Sequence, residues 1–504
     1  MDTLQNRLRI SRVLHAGYLF ESQQQGEPTR ILFDPIFENP FSFNCFAYPN
    51  VQFDLNAIRQ LQLSAIFISH YHDDHCSLES LQQLSKTTPV FLYCVHQELF
   101  EMIRKLGFTD VRALRVDQTE TVGPFSITPR RALDDRTDTI FEITTSDCKI
   151  LNVVDAQLDA ETVAQLAKSA PWDLVLWPFQ VMRESEVLAP TRVEPDAIFA
   201  DAIVTDANQE SRLSTSSQQL QKSTQVFPTE WTEQLQRLQP RAVVPSSCQF
   251  IHEEWSWYRN FFFSYSYREF QNYLAQILPL TKVTRLNPGC ALEWAQKQFQ
   301  PTEPLPWITP VGPQDVDYKL SPEQPIPDTS AIAQKFPALS PLQLQRILLF
   351  CKSEIIKRYQ LIGPPEDIYF QKPRLWRLSI FDHLGQPSHF YYQLRDEEMT
   401  VVKIIDVEIT PITKSYVTDS PNSADQLKNI AWTTEISTHK LYSALENGES
   451  LSSLYLRINA HRFSEKIEGE MREVNHLDDP LLRALYNGDA LSYHRAQLKR
   501  LQKS

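Results

Sequence analysis

The chain has 504 residues, more than one ordinary hydrophobic core accommodates, so at least two domains are expected and a single small binding module is excluded. Acidic residues outnumber basic ones by 62 to 49, and the net charge of −13 argues against nucleic acid as a partner. With 11 glycines and neither a GxGxxG nor a GxxxxGKS/T string, the common nucleotide-binding loops are excluded as well.

The cysteines and the hydropathy pattern indicate the compartment. Seven scattered cysteines without a CxxC pair are typical of reduced thiols rather than of a disulfide framework. The first residues lack the apolar core of a signal peptide, and no apolar run reaches 18 residues, so integral membrane association is not expected. We therefore predict a cytoplasmic protein.

The first 300 residues alternate short apolar runs with amphipathic stretches, which is typical of an α/β domain with buried strands. Strands are predicted at 30–33, 65–69, 90–95, 139–144, 149–154 and 173–177, and helices at 77–84 and 160–167. We therefore place a first domain at residues 1–300.

Eight prolines between residues 301 and 327 are expected to break any regular element, so 301–328 is predicted to be a linker. Beyond it, helices are predicted at 342–359, 439–445 and 480–501, and strands at 375–381, 390–394 and 401–409. Residues 329–504 are thus predicted to form a smaller α+β domain, for which the sequence indicates no role.

One motif carries chemistry: HxHxDH, formed by His70, His72, Asp74 and His75, between the apolar run 65–69 and a predicted helix. Alternate residues of an extended segment point to one side, so the first two imidazoles can bind one metal ion. The last two side chains lie in the following turn and can reach a second ion, as two-metal hydrolysis requires. The alternative is a solvated turn that binds no ion.

This motif resembles the first metal-binding motif of the metallo-β-lactamase superfamily, which implies an αββα sandwich with a dinuclear metal site at one edge. Segments 14–19 and 31–35 are similar to the first hairpin of one branch of that superfamily. The branch includes ascorbate-6-phosphate lactonase, N-acylphosphatidylethanolamine phospholipase D and the lactamase-like part of CMP-N-acetylneuraminate hydroxylase. The last is the most similar, through its ISHxHxDHxS and ILNxxD strings, and the resemblance covers about the first 290 residues.

The same resemblance implies that Asp155, after the predicted strand 149–154, bridges two metal ions. A carboxylate at the end of a buried strand can do so, because the cations balance its charge. Alternatively, Asp155 caps the helix predicted to begin near Asp159.

The sequence departs from the superfamily pattern at the third ligand, which would be a histidine between the first motif and Asp155. The only histidine there is His96, which comes too early in the chain. Asp134, Asp135 or Asp138 can replace it, although each is also an ordinary acidic loop residue.

The last ligand is missing in the same way. Cys248 and His252 lie near the expected position, yet both are also compatible with a buried structural role. His15, at the end of the first strand, either orients a ligand or binds substrate, or it is a hydrogen-bonded core residue.

These residues predict a metal-dependent hydrolase in which a metal-activated water attacks an ester, lactone, amide or phosphodiester of a small molecule. The predicted ligands are His70, His72, Asp74, His75 and Asp155, and Asp74 is also the candidate catalytic residue. One or two divalent ions are expected: zinc first, with iron or manganese favoured by the shortage of imidazoles.

Two alternatives stay open: a non-haem iron oxygenase or accessory domain of an oxidative pathway, and a binding or scaffold protein with a degenerate site. Because no Rieske-type CxH and CxxH pair is present, the electron-transfer chemistry of the hydroxylase does not carry over. The sequence indicates neither the substrate nor the oligomeric state.

Overall fold

The computed structural model describes residues 7–23, 28–183, 187–188, 227–321, 326–365, 368–404, 430–460, 466–467, 470–471, 478–486 and 490–503. The chain forms two compact units. The first is built from Met1–Met182, Lys222–Pro322 and Tyr493–Ser504, and the second from Arg183–Gln221 and Glu323–Ser492. Among the described residues, no helix combines the length and the apolar character needed to cross a bilayer.

The strands of the first unit follow one another in the order β1 (Arg7–Arg12), β2 (Tyr18–Gln23), β3 (Thr29–Phe33), β4 (Phe46–Ala47), β5 (Val51–Phe53), β6 (Ala65–Ile68), β7 (Val90–Leu92), β8 (Val111–Ala113), β9 (Glu120–Val122), β10 (Phe125–Arg131), β11 (Thr139–Thr144), β12 (Lys149–Asn152), β13 (Leu174–Pro178), β14 (Ala242–Ser246), β15 (Phe250–Ile251), β16 (Lys282–Val283), β17 (Ala291–Ala295), β18 (Gln298–Thr302) and β19 (Ile308–Pro310). Those of the second unit are β20 (Arg374–Phe381), β21 (Pro387–Arg395), β22 (Glu398–Ile404), β23 (Ile430–Ser437), β24 (Arg457–Ala460), β25 (Lys466–Ile467) and β26 (Glu470–Met471).

The described α-helices are α1 (Leu55–Ile58), α2 (Leu78–Gln82), α3 (Gln97–Lys105), α4 (Ala160–Leu166), α5 (Thr229–Leu238), α6 (Tyr267–Ile277), α7 (Thr329–Ala333), α8 (Pro341–Leu349), α9 (Ile355–Gln360), α10 (Thr438–Asn447), α11 (Pro480–Tyr486) and α12 (Ser492–Leu501). Helices α1 to α6 and all but the first residue of α12 belong to the first unit, and α7 to α11 to the second.

Two large sheets form the first unit. One has the strand order β18-β17-β1-β2-β3-β6-β7-β8 and the other β16-β14-β13-β12-β11-β10-β9. The inner faces of the two sheets share one hydrophobic core. The buried residues of the surrounding helices are not part of this core. The helices therefore cover the outer faces, and the predicted α/β class with an αββα sandwich is confirmed.

Aromatic side chains join the two sheets at their centre. The fully buried ring of Phe33, on β3, packs edge-on against Phe141, on β11 of the other sheet, with a centroid distance of 5.1 Å. Phe67 on β6 stacks on Phe33 at 5.2 Å. Each such ring contributes about 2 to 3 kcal/mol through its burial.

The predicted strands of the first unit exist, and three of them end earlier than expected: predicted strand 90–95 stops at residue 92, and two others lead to the site. Predicted strand 65–69 stops at residue 68, and predicted strand 149–154 stops at residue 152, where Val154 takes a left-handed conformation with φ of 61°. The chain thus leaves both sheets just before the residues of the predicted metal site.

The expectation that the prolines after residue 300 break every regular element is wrong. Pro301 lies in β18, at the edge of its sheet, and Pro310 ends β19, which pairs with β5. An edge strand tolerates proline because one side of its backbone needs no ladder hydrogen bonds. Residues 301–321 of the predicted linker lie in the first unit, and 322–325 fall outside the described residues.

The second unit is α+β, as predicted, with the sheet order β22-β21-β20-β23-β24 and helices α7 to α11. Its core contains the fully buried rings of Trp376, Tyr392 and Trp432. Predicted helix 342–359 is α8 and α9 joined by a π turn, Phe350–Glu354. Predicted helix 480–501 is two helices, α11 and α12, and predicted strand 401–409 is described only to residue 404.

Candidate metal centre

The candidate site lies where strands of the two sheets end. Strands β3 and β6 are parallel, with Phe33 opposite Phe67, so Asp34 and Ser69 leave the first sheet at the same edge. The buried Asp34 carboxylate accepts hydrogen bonds from the amide and the hydroxyl of Ser69, each at 2.7 Å. These contacts fix the residue that precedes the histidine motif.

The first group of potential ligands consists of His15, Asp74, His75 and Asp155. Nε2 of His75 lies 3.1 Å from Oδ2 of Asp155 and 3.1 Å from Nε2 of His15. Nε2 of His15 is also 3.1 Å from Oδ2 of Asp74. Four nitrogen or oxygen atoms therefore surround one small volume.

The second group consists of His70, His72 and Asp138. Nε2 of His70 lies 3.0 Å from Nδ1 of His72 and 3.9 Å from Oδ1 of Asp138. The two groups meet at Asp155, whose Oδ1 is 4.0 Å from Nε2 of His70. One carboxylate thus faces both groups through its two oxygens.

Hydrogen bonds on the far side of two rings leave their Nε2 atoms facing the centre. Because the Ser69 hydroxyl donates to Asp34, its oxygen accepts from Nδ1 of His70 at 2.9 Å. Nδ1 of His75 donates to Asp34 at 3.1 Å. When each imidazole is neutral, Nε2 carries the lone pair that a metal ion needs.

The ligand spacing fits metal ions. Two ligand atoms bound tetrahedrally to zinc at about 2.0 to 2.1 Å lie about 3.3 Å apart. Five close contacts within the two groups span 3.0 to 3.9 Å, and all ligand atoms of a group lie within 4.8 Å of one another. In addition, Oδ1 of Asp138 and Oδ1 of Asp155 are buried and accept no hydrogen bond from any described residue. Buried carboxylate oxygens without donors are compensated by a cation.

The electrostatics indicate competition between protons and cations. Burial opposes the charge on His75, but the carboxylates of Asp155 and Asp74 raise the pKa of this imidazole well above its usual value. Burial and the charge of Asp155 raise the pKa of Asp138 to about 7. Burial and then the charge on His75 lower the pKa of His70 well below its usual value. A cation held by these residues would replace the proton of His75 and would favour the ionised form of Asp138.

A strained turn brings His15 to the centre. His15 is buried between β1 and β2 and has a positive φ of 54°, which costs free energy in a residue other than glycine. The buried guanidinium of Arg12 donates to the His15 carbonyl at 2.6 and 3.1 Å and to the Pro245 carbonyl at 2.6 Å. The hairpin thus holds the imidazole against the motif.

The structure separates the alternatives for the third ligand. Asp138 lies with His70 and His72, whereas Asp134 and Asp135 are exposed and His96 is in neither group. Strand β11 is antiparallel to β12, so the residue before β11 lies at the same edge as Asp155, after β12. That pairing is the signal that distinguishes Asp138 from its neighbours.

The two candidates for the last ligand lie outside both groups of potential ligands. Cys248 and His252 are buried and belong to neither group of described residues. The carbonyl of Cys248 accepts from the Tyr318 hydroxyl at 2.8 Å, and the His252 ring packs among aromatic rings. Asp34 was not predicted as a site residue, although it orients His75.

No protein-family model matches the sequence, and no curated protein matches it. Among solved structures, the chain is similar to a metallo-hydrolase from the archaeon Ignicoccus hospitalis, at 14% identity and a TM-score of 0.36, over 57% of this chain and 99% of that one. The metallo-β-lactamase fold protein YhfI from Bacillus subtilis gives 14% and 0.36, over 57% and 100% of the two chains.

A third solved structure is the diiron β-hydroxylase CmlA from Streptomyces venezuelae, with 17% identity and a TM-score of 0.30 over 47% of this chain and 44% of that one. The particular branch suggested by the sequence motifs stays a prediction. Metallo-hydrolases and metallo-β-lactamase fold proteins are therefore among the solved structures to which this chain is similar.

Proposed function

We propose that the protein is a metal-dependent hydrolase that binds two divalent cations, with Asp155 between them. The observation that carries the proposal is the position of this carboxylate, 3.1 Å from Nε2 of His75 on one side and 4.0 Å from Nε2 of His70 on the other. Two-metal hydrolysis uses cations about 3.5 to 4 Å apart, and a carboxylate shared between neighbouring ligand sets holds them at such a separation.

The proposed ligands of one cation are His70, His72 and Asp138, and those of the other are His15, Asp74 and His75, with Asp155 shared. Bound divalent cations lower the pKa of water and polarise an electrophilic carbonyl or phosphoryl group. Asp74, whose side chain is 23% exposed, faces solvent and is proposed to accept the proton of the attacking water. The substrate is proposed to be a small ester, lactone, amide or phosphodiester.

Metal analysis tests the proposal. The purified protein should contain up to two equivalents of zinc, iron or manganese, and His72→Ala should lower that content while the fold is retained. The matched control is His96→Ala, because His96 contacts the Tyr71 ring close to the motif without belonging to either group. Full metal retention in His72→Ala, or equal losses in the two variants, contradicts the ligand assignment.

The composition of the second group supports one further candidate, oxidation by bound iron. Asp138 stands where a third imidazole would make a softer ligand set, and a carboxylate favours iron or manganese over zinc. Zinc with turnover of an ester or phosphodiester panel supports hydrolysis, whereas iron with substrate-dependent oxygen consumption supports oxidation. A chain that binds no metal after reconstitution with zinc, iron and manganese refutes both.

A further inference from the structure

Helix α12, the last helix of the chain, packs directly against the segment that follows the histidine motif. Its residues from Tyr493 onward belong to the first unit, although the second unit lies between them and the rest of that unit in sequence. The contacts reach Cys76, Ser77 and Leu78, which are 418 to 420 positions away in the chain.

Gln497 makes the central contact. Its side chain is fully buried. Oε1 accepts from the Leu78 amide at 2.8 Å, and Nε2 donates to the Ser77 hydroxyl at 3.1 Å and to the Tyr493 hydroxyl at 2.8 Å. Leu78 is the first residue of α2, where backbone amides have no partner within the helix. A residue from the far end of the chain therefore completes the N-terminus of α2.

His494 makes the contact nearest to the candidate ligands. It is buried, and its Nε2 donates to the Cys76 carbonyl at 2.8 Å. Cys76 follows His75 directly, and the amides of both residues donate to the His72 carbonyl, at 2.9 and 3.1 Å. His494 therefore holds the end of the turn His72–Cys76, which carries three of the proposed ligands.

A second layer of hydrogen bonds fixes the start of α2, directly after the turn. The Ser77 hydroxyl donates to Oε1 of Glu38 at 2.7 Å, and the Ser80 hydroxyl donates to Oε2 at 2.9 Å. Ser77 thus lies between Glu38 and Gln497. Loss of either partner leaves a buried polar group unsatisfied, at a cost of about 1 to 3 kcal/mol.

We propose that α12 is part of the metal centre and that Gln497 and His494 are positioning residues for the turn His72–Cys76. The inference rests on the proposed function, because it concerns ligands for the proposed cations. Metal sites tolerate deviations of about 0.2 Å in ligand distance, so a turn that loses these contacts should bind metal less tightly. Substitution of residues that support the ligands without binding the metal typically lowers metal affinity by about 10- to 100-fold.

The test measures zinc affinity of the full-length protein at a temperature where it is folded, by competition with a chromophoric chelator. Gln497→Met keeps the size of the side chain and removes its hydrogen bonds, and it should weaken zinc binding about 10-fold or more. The control is Arg495→Gln on the same helix, which removes the exposed ion pair with Glu98 and should change the affinity less than about twofold.

A second pair of variants applies if Gln497→Met does not fold. His494→Phe removes the donor to the Cys76 carbonyl, whereas His494→Gln keeps an N–H donor, so only the first should lose affinity and alter the absorption spectrum of bound Co²⁺. The positioning role is overturned if wild type and Gln497→Met bind zinc equally well, or if the two His494 variants do. Either result leaves the proposed function intact. A wild-type chain that binds no metal overturns the proposed function and this inference together.

Discussion

The Asp34 carboxylate lies 3.1 Å from Nδ1 of His75, and the Asp155 carboxylate lies 3.1 Å from Nε2 of the same ring. The imidazole is therefore held between a carboxylate that orients it and a carboxylate that shares its proposed cation. A carboxylate behind a metal-binding histidine fixes the tautomer and makes the imidazole a stronger ligand.

Asp34→Asn should therefore weaken metal binding about 10- to 100-fold while largely preserving the fold, because the amide keeps the shape but not the charge. Zinc affinity and circular dichroism of the full-length variant measure the two effects. The matched control is Asp159→Asn, because Asp159 caps α4 a few residues after Asp155 and asparagine caps a helix about as well, so both stability and affinity should stay nearly unchanged. Wild-type affinity in Asp34→Asn argues against the orienting role.

Asp138→His should change metal selectivity. An imidazole in place of this carboxylate makes the second ligand group softer, so the ratio of bound zinc to bound iron should rise after reconstitution with equal amounts of both. Elemental analysis measures the ratio. Asp135→His, on the exposed part of the same loop, is the control and should leave the ratio unchanged. Identical ratios in the two variants contradict a ligand role for Asp138.

The sequence predicted those parts of the site that depend on local patterns. The motif residues lie within the seven residues that follow one strand, and Asp155 follows another, so strand prediction alone places them at sheet ends. The fold followed from the same alternation of short apolar runs with amphipathic stretches.

The remaining site residues depend on which strands pair and in which direction. Asp138 and Asp135 are equivalent in sequence, and only the antiparallel pairing of β11 with β12 brings Asp138 to the site. His15 reaches the site because the hairpin of β1 and β2 continues into β3. Gln497 depends on a contact across 419 positions, which no periodicity in the sequence indicates.

The aromatic contact between the two sheets predicts a stability effect independent of metal. Phe141→Ala should lower the free energy of unfolding of the metal-free protein by about 3 to 5 kcal/mol, because the fully buried ring contacts Phe33 and Phe67 of the opposite sheet. Urea denaturation followed by fluorescence measures the change. Leu133→Ala, at a position 53% exposed, should change stability by less than about 0.5 kcal/mol. Comparable effects of the two changes would argue against the central position of this ring.

Acid should destabilise the first unit through His252. Burial lowers the pKa of this imidazole to about 3, and its ring packs against those of Tyr258 and Phe262 at 5.3 and 5.0 Å. Between pH 6.5, near the pKa of an unfolded histidine, and pH 3, only the unfolded chain binds this proton, so the free energy of unfolding falls as the pH falls. The loss from this group at pH 5 is about 2 kcal/mol. His252→Phe should lose correspondingly less stability than wild type between pH 7 and pH 5, in urea denaturation of the metal-free proteins. Since the other titratable groups are common to both proteins, identical pH dependence shows that His252 is not held neutral by burial.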